Sequence, residues 1–171
     1  MRSLGLTAMA VALSAAALAG CNKPASNTQT ETTTSPSTEA VTTTPAEPTE
    51  AQKKAAVASL PAPYNTADLD NGEAKFAICK SCHTLTQGGP DMTGPNLYGI
   101  FGRKVATKAG FNYSDALKAQ NFTWDAQHLD TWLTDPKAMV PDTRMTFPGF
   151  KDPKDRIDVI GYLKAETTPT S

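Results

Sequence analysis

The chain has 171 residues, enough for one domain with extensions, and a formal net charge of −1. So balanced a charge gives no electrostatic footprint for nucleic acid. Three cysteines and two histidines leave little material for a multi-histidine metal site.

Residues 1–20 begin Met1-Arg2 and continue into an Ala/Leu run from Leu4 to Ala19 that has no acidic residue. A basic start followed by a short apolar stretch is the pattern of an export signal; it is marginal for a bilayer span, which needs about 20 apolar residues. Leu18-Ala19-Gly20-Cys21 closes the run and resembles the lipobox of bacterial lipoproteins, whose cysteine becomes the lipidated first residue. Two other readings compete: an ordinary cleavage site at Ala17-Leu18-Ala19 that releases a soluble product, and an uncleaved short anchor. Residues 22–63 are Thr, Ser, Pro, Glu and Ala, with almost no large apolar side chain before Leu60. Such a segment buries too little to offset its ordering entropy. It reads as a disordered tether of 42 residues, with an end-to-end distance of roughly 35 Å. Residues 64–171 hold both tryptophans, all four tyrosines and all six phenylalanines, and read as one domain with a modest core.

Within that domain, Asp70-Asn71-Gly72-Glu73 predicts a helix start with Asp70 as cap, running through Phe76 into a pair of cysteines. Thr84 to about Phe111 is Gly-rich, contains Pro90 and Pro95, and reads as loops. Ser114–Lys118 predicts a short helix, and Trp124–Thr134 a longer one with Leu129, Trp132 and Leu133 on one face and Pro136 past its end. Asp152 and Pro153 open a last helix as cap and first residue, with Ile157, Ile160 and Gly161 in one stripe. No stretch alternates as a strand. The result is an all-α domain whose loops are too long for its core unless a large buried group fills it.

Cys79-Lys80-Ser81-Cys82-His83 is C-x-x-C-H, the covalent attachment pattern of c-type haem. Thiols at i and i+3 of a helical turn face the same way, so both can add to the two vinyl groups of one haem. The next residue then aims its imidazole at the iron. A thioredoxin-like dithiol lacks the expected βαβ surroundings, and a zinc site lacks ligands, since only His128 and Cys21 remain. Met92, Met139, Met145 and His128 are the candidates for a second axial ligand.

TGPNLYGIFGRK (93–104), AGFNYSDALK (109–118), TWDAQHLDTWLTDPK (123–137), VPDTRMTFPGF (140–150) and DRIDVIGYLK (155–164) follow in order. Together they resemble class I cytochrome c, in its mitochondrial and cytochrome c2-like, membrane-anchored bacterial branch, over essentially residues 70–165. The resemblance implies an all-α cytochrome c fold, three to five helices with long loops around one covalently bound haem c. It implies Cys79 and Cys82 as the covalent attachments, His83 as proximal iron ligand with the Pro95 carbonyl behind it, and Met145 as distal ligand. Tyr113 and Trp124 match positions that hydrogen-bond a buried propionate, Arg103 one that offsets its charge, and Phe147 the aromatic beside the exposed haem edge. Gly72 and Phe76 are expected to cross the last helix near Tyr162. Leu117 stands where the mitochondrial proteins carry Asn, and Trp132 where they carry Tyr, which implies a drier Met145 side.

A six-coordinate His/Met iron has no vacancy for substrate, so the expectation is a single-electron carrier rather than an enzyme. The pathway that the resemblance implies runs from a bc1-type donor to a terminal haem-copper oxidase, on the periplasmic side of a bacterial membrane. The carrier is expected to be a monomer, held to the membrane by lipid on Cys21. The rivals are a soluble periplasmic cytochrome c serving another reductase or dehydrogenase, and a haem peroxidase or sensor with a labile sixth ligand. Residues 64–171 carry 12 Lys/Arg and 13 Asp/Glu, so there is no large basic excess. Lys80, Lys137, Arg144 and Lys151 nevertheless match positions ringing the exposed edge, a local basic rim for acidic partners.

Overall fold

The computed structural model describes residues 47–169. The export segment, Cys21 and most of the expected tether lie outside the described residues. The α-helices are α1 (Glu50–Ala58), α2 (Leu69–Phe76), α3 (Asp115–Lys118), α4 (Ala126–Thr134), α5 (Pro136–Met139) and α6 (Pro153–Thr167). Short 3-10 turns stand at Tyr64–Thr66 and Cys79–Ser81. Among the described residues the only β pairing is an isolated bridge between Lys104 and Thr123. The long loops between α2 and α4 wrap a core to which α2, α4 and α6 contribute Phe76, Leu129, Trp132, Leu133, Val159, Ile160 and Leu163.

The expected tether ends earlier than residue 63. Thr49 and Gln52 form a reciprocal capping box that starts α1, and the proline-free run behind it is rich in Ala and Lys, good helix formers. Val57 and Leu60 are buried, and α1 packs on α6 and on the 3-10 turn at Tyr64. Lys53 Nζ lies 2.7 Å from a Glu166 carboxylate oxygen. Two apolar side chains and one half-shielded ion pair are enough to seat a short helix that composition alone would leave unstructured.

Helix α6 is the hub. It is buried almost all round from Asp158 to Leu163, because α1, α2, α4 and the 3-10 turn at Tyr64 all pack on it. The α2 crossing depends on Gly72, where a Cβ would lie 2.8 Å from Tyr162 Cβ and closer still to the Asp158 carbonyl. The Phe76 and Tyr162 rings meet beside it at 5.5 Å, tilted by 45°, as the resemblance implies.

The cap of α2 is Asp68, not Asp70: its carboxylate accepts the N–H groups of Asp70 and Asn71, each at 3.1 Å. The helix starts at Leu69, so Glu73 falls too far along for a capping box and pairs with Lys80 instead. Helix α4 starts at Ala126 behind an Asp125 cap, and Trp124 belongs to the bridged ribbon before it. The cap of α6 is Asp152, with Pro153 first, as the sequence implies, whereas α3 starts at Asp115 and Ser114 is its cap rather than its first residue.

Asp158 is a charged group with almost no exposure. It accepts the Asp68 N–H at 2.9 Å and Asn71 Nδ2 at 2.6 Å, and pairs with Lys154. Burial alone would push its carboxyl up, but the bonds from Lys154, Asp68 and Asn71 outweigh it and hold the pKa below the ordinary carboxylate value. A depressed folded pKa contributes stability that is present above the unfolded value, about 3.9, and lost as pH falls through the folded one. Asp158→Asn is therefore expected to cost about 1.5–3 kcal/mol at neutral pH. In thermal unfolding of the two proteins at stepped pH, the gap should close on acidification. A gap that stays constant down to the acid limit would refute the assignment.

Candidate functional site

A cavity of about 490 Å³ opens between the loops and helices α2, α4 and α6. Its walls are mostly apolar; among the described residues no carboxylate lines it, and the charged side chains there are Arg103 and Arg144. That volume lies in the range of sites that enclose a cofactor.

One wall is the cysteine turn. Backbone bonds from Cys82 N and His83 N to the Cys79 carbonyl, at 3.0 and 2.9 Å, fold Cys79–His83 tightly. Cys79, Cys82 and His83 all line the cavity, and neither cysteine is in a disulfide. Burial, with Cys82 adding to it, pushes the Cys79 thiol up to about 11. A redox dithiol needs the opposite shift, toward thiolate. Among the described residues no cluster of three or more His, Cys, Asp or Glu could hold a bare metal ion.

His83 is fixed from behind. Its Nδ1 lies 2.7 Å from the Pro95 carbonyl. A carbonyl only accepts, so the proton sits on Nδ1 and the Nε2 lone pair stays free for iron. Burial lowers the His83 pKa, and the Pro95 bond offsets that only in part, so the ring is neutral, as ligation requires. Gly94 leaves room for the ring: a Cβ there would lie 2.7 Å from Nε2 and 2.8 Å from Nδ1. The 91–97 segment is sewn to the cysteine turn by Gly94 N to Cys82 O and Leu97 N to Thr84 O, both 2.9 Å. Buried Asn96 bridges to Thr84 Oγ1 at 2.7 Å and to the Thr86 carbonyl at 2.9 Å.

The polar end is set by the short ribbon. Trp124 N donates to the Arg103 carbonyl and Gly102 N to the Trp124 carbonyl, each at 2.9 Å. This pairing lays Arg103 and Trp124 side by side, with Tyr113 on the same cavity. Arg103 donates to the carbonyls of Asn96 and Tyr98. Among the described residues this half-buried guanidinium bonds neutral groups, the two carbonyls and Tyr113, and makes no ion pair, which leaves charge for an anionic group. Burial raises the Tyr113 pKa, with the Arg103 charge acting against it.

Of the four candidate second ligands, Met145 alone lines the cavity. Met92 is 47% exposed, and Met139 packs against the core without reaching the cavity. His128 stacks on Phe122 at 4.7 Å and bonds Asp125 through Nδ1. Around Met145 the lining includes Leu117, Trp132, Leu133 and Phe147. Leu117 and Trp132 are both buried, apolar where the resemblance implies polar side chains.

The rim residues are all exposed. Arg144 lines the cavity, and Lys80 lies between the lining residues Cys79 and Ser81. Lys80 pairs with Glu73 at 3.0 Å, and Lys151 donates to the Thr134 carbonyl at 3.2 Å. Lys137 sits on α5, and no lining residue adjoins it in sequence. Sequence reasoning missed Gly94 and Asn96 as supports of the histidine; the glycine between Thr93 and Pro95 was the available signal.

Two facing cysteines, a pre-oriented neutral imidazole, one thioether and a basic polar end fit a covalently bound haem, and together define a small all-α c-type haem protein. Comparisons with known proteins give the family. The chain is 41% identical to cytochrome c of Kluyveromyces lactis over 105 residues, covering 61% of this chain and 96% of that protein. It is 43% identical to cytochrome c2 of Rhodomicrobium vannielii over 103 residues, covering 60% and 82%. The solved structure of cytochrome cH from Methylobacterium extorquens superposes with a TM-score of 0.55 at 44% identity, covering 58% of this chain and all of that one. No protein-family model matches. The chain belongs to the class I cytochrome c family. It is an electron-transfer protein rather than an enzyme, and its cofactor is one covalently attached haem c.

Proposed function

We propose that this cytochrome is a lipid-anchored carrier that takes electrons from a bc1-type complex and delivers them to a terminal oxidase, on the periplasmic side of a bacterial membrane. The observation that carries the ligand assignment is that His83 and Met145 line one apolar cavity with both cysteines, while the rival ligands stay outside it. In this reading Cys79 and Cys82 would hold the haem covalently, and His83 and Met145 would ligate its iron. Arg103, Tyr113 and Trp124 would hold the propionate end, and Phe147 would lie beside the exposed edge. The bound haem supplies a one-electron iron couple. The Met145 thioether favours the reduced state, and the apolar walls around it add to that preference. The Pro95 carbonyl and the space at Gly94 hold the imidazole in one orientation, so little has to move when the charge changes.

Anchoring rests on the Leu18–Cys21 sequence. No helix among the described residues is long and apolar enough to cross a membrane. Several acyl chains on one cysteine would hold the protein durably at a bilayer. Tethering at an effective concentration on the order of millimolar would favour repeated brief contacts with membrane complexes. Lys80, Lys137, Arg144 and Lys151 would steer acidic partners to the edge, with rates that fall as salt rises.

The test is to express the chain with its export segment and fractionate the membranes, comparing wild type with Cys21→Ser. Wild type should stay with the membrane through a high-salt wash and Cys21→Ser should be released, each with the same reduced-haem spectrum. Wild type in the soluble fraction would favour the soluble carrier. Oxidation by an acidic redox partner should slow with added salt; a salt-independent rate would remove the rim.

A further inference from the structure

The loop that bears Met145 is poorly fastened along its length. From Arg144 to Gly149, no backbone N–H donates to a backbone carbonyl among the described residues. Met145 N reaches only the Thr143 hydroxyl, at 3.3 Å. The loop is therefore held mainly at its ends. At the near end, exposed Arg144 makes one bond to the Asn112 carbonyl at 2.8 Å. At the far end, Phe150 N donates to the Leu133 carbonyl at 2.8 Å, and one α6 side chain takes over the rest.

That side chain is Arg156. Its Nη1 donates to the carbonyls of Phe150 at 2.9 Å and Lys151 at 3.3 Å, and its Nε donates to Asp130 Oδ1 at 2.6 Å. The group is 12% exposed. One planar fork thus joins α4, α6 and the end of the loop, a geometry that a lysine's point charge does not reproduce. From this bolt the chain runs back through Gly149, packed against the Thr134 backbone. It continues to Phe147, whose ring meets Phe150 at 4.8 Å and which lines the cavity two residues from Met145.

We infer that Arg156 is a positioning residue for Met145: by pinning the Phe150 and Lys151 carbonyls to Asp130, it keeps the thioether from leaving the iron. This rests on the reading of Met145 as the second ligand.

The experiment uses the ferric holoprotein. It follows the far-red sulfur-to-iron absorption band and the rate at which imidazole, a neutral probe, takes the Met145 position. In Arg156→Gln the band should weaken, and imidazole should enter roughly tenfold faster, the scale of one lost charged hydrogen bond. Asp130→Asn should move both readouts the same way, Arg156→Lys should recover part of the loss, and Arg144→Gln should do less. If Arg156→Gln fails to take up haem, Asp130→Asn and Arg156→Lys carry the test. Unchanged band and imidazole rate in these variants, even with lower thermal stability, would make the arginine merely structural and overturn the inference. A wild-type protein without the band would instead overturn the Met145 reading, and this inference with it.

Discussion

Met145→Ala is expected to abolish the far-red sulfur-to-iron band and to lower the reduction potential by on the order of 0.2 V, within the roughly 0.8 V over which axial ligands set haem potentials. Removing the only thioether among the described residues that line the cavity takes away a ligand that favours reduced iron. The lining residues nearest in character, Leu117, Leu133 and Trp132, offer no replacement, since none carries a ligating atom suited to iron. Met92 and Met139 do not line the cavity, so recovering a sulfur ligand would require the loops to refold. The variant should therefore bind carbon monoxide when reduced, while wild type resists it. Optical spectra in both oxidation states and a redox titration check this. A band that survives in Met145→Ala would transfer the ligand role to another methionine. A wild-type protein that already binds carbon monoxide quickly would favour the sensor-like reading over the carrier.

Gly72→Val is expected to destabilise the protein by about 3 kcal/mol or more, in the upper part of the range for overpacked cores, and to lower Tm by roughly 10 °C or more. Replacing a glycine inside a helix normally stabilises it, by less than about 1 kcal/mol, so the sign of the result isolates the crossing. At Gly72 the obstacle is the Asp158 backbone carbonyl together with Tyr162 Cβ, and neither belongs to a flexible side-chain end that can swing away. The helices must separate, which loosens Phe76 against Tyr162. Thermal unfolding followed by circular dichroism checks it. A Tm within a few degrees of wild type would mean that the crossing yields without cost.

The parts legible in the sequence are those fixed by short spacing. C-x-x-C-H places three side chains on one turn whatever surrounds them, and Asp152-Pro153 marks a helix start by its own chemistry. The place of Met145 was not legible in this way. Four candidate ligands looked comparable as residue types, and resemblance separated them before the cavity lining did. Trp124 was misassigned to α4 because its conformation is set by pairing with Arg103, some twenty positions earlier, and no local pattern reports such a bond. The α2 cap slipped by two residues because Asp68 and Asp70 are both good caps, and what anchors Asp68 is Asp158 on α6. Gly94 and Asn96 support the histidine through contacts across the chain, so their types gave only a weak cue.

Helix α1 was lost to the low-complexity composition around it, and its place on α6 bears on how the protein should be cut for laboratory work. A truncated form starting at Tyr64, as composition alone would suggest, discards Val57 and Leu60 and strips the cover from part of α6. Newly bared apolar surface on a small domain invites self-association, and Glu166 would lose its Lys53 partner. A fragment beginning at or before Thr49 keeps that face sealed.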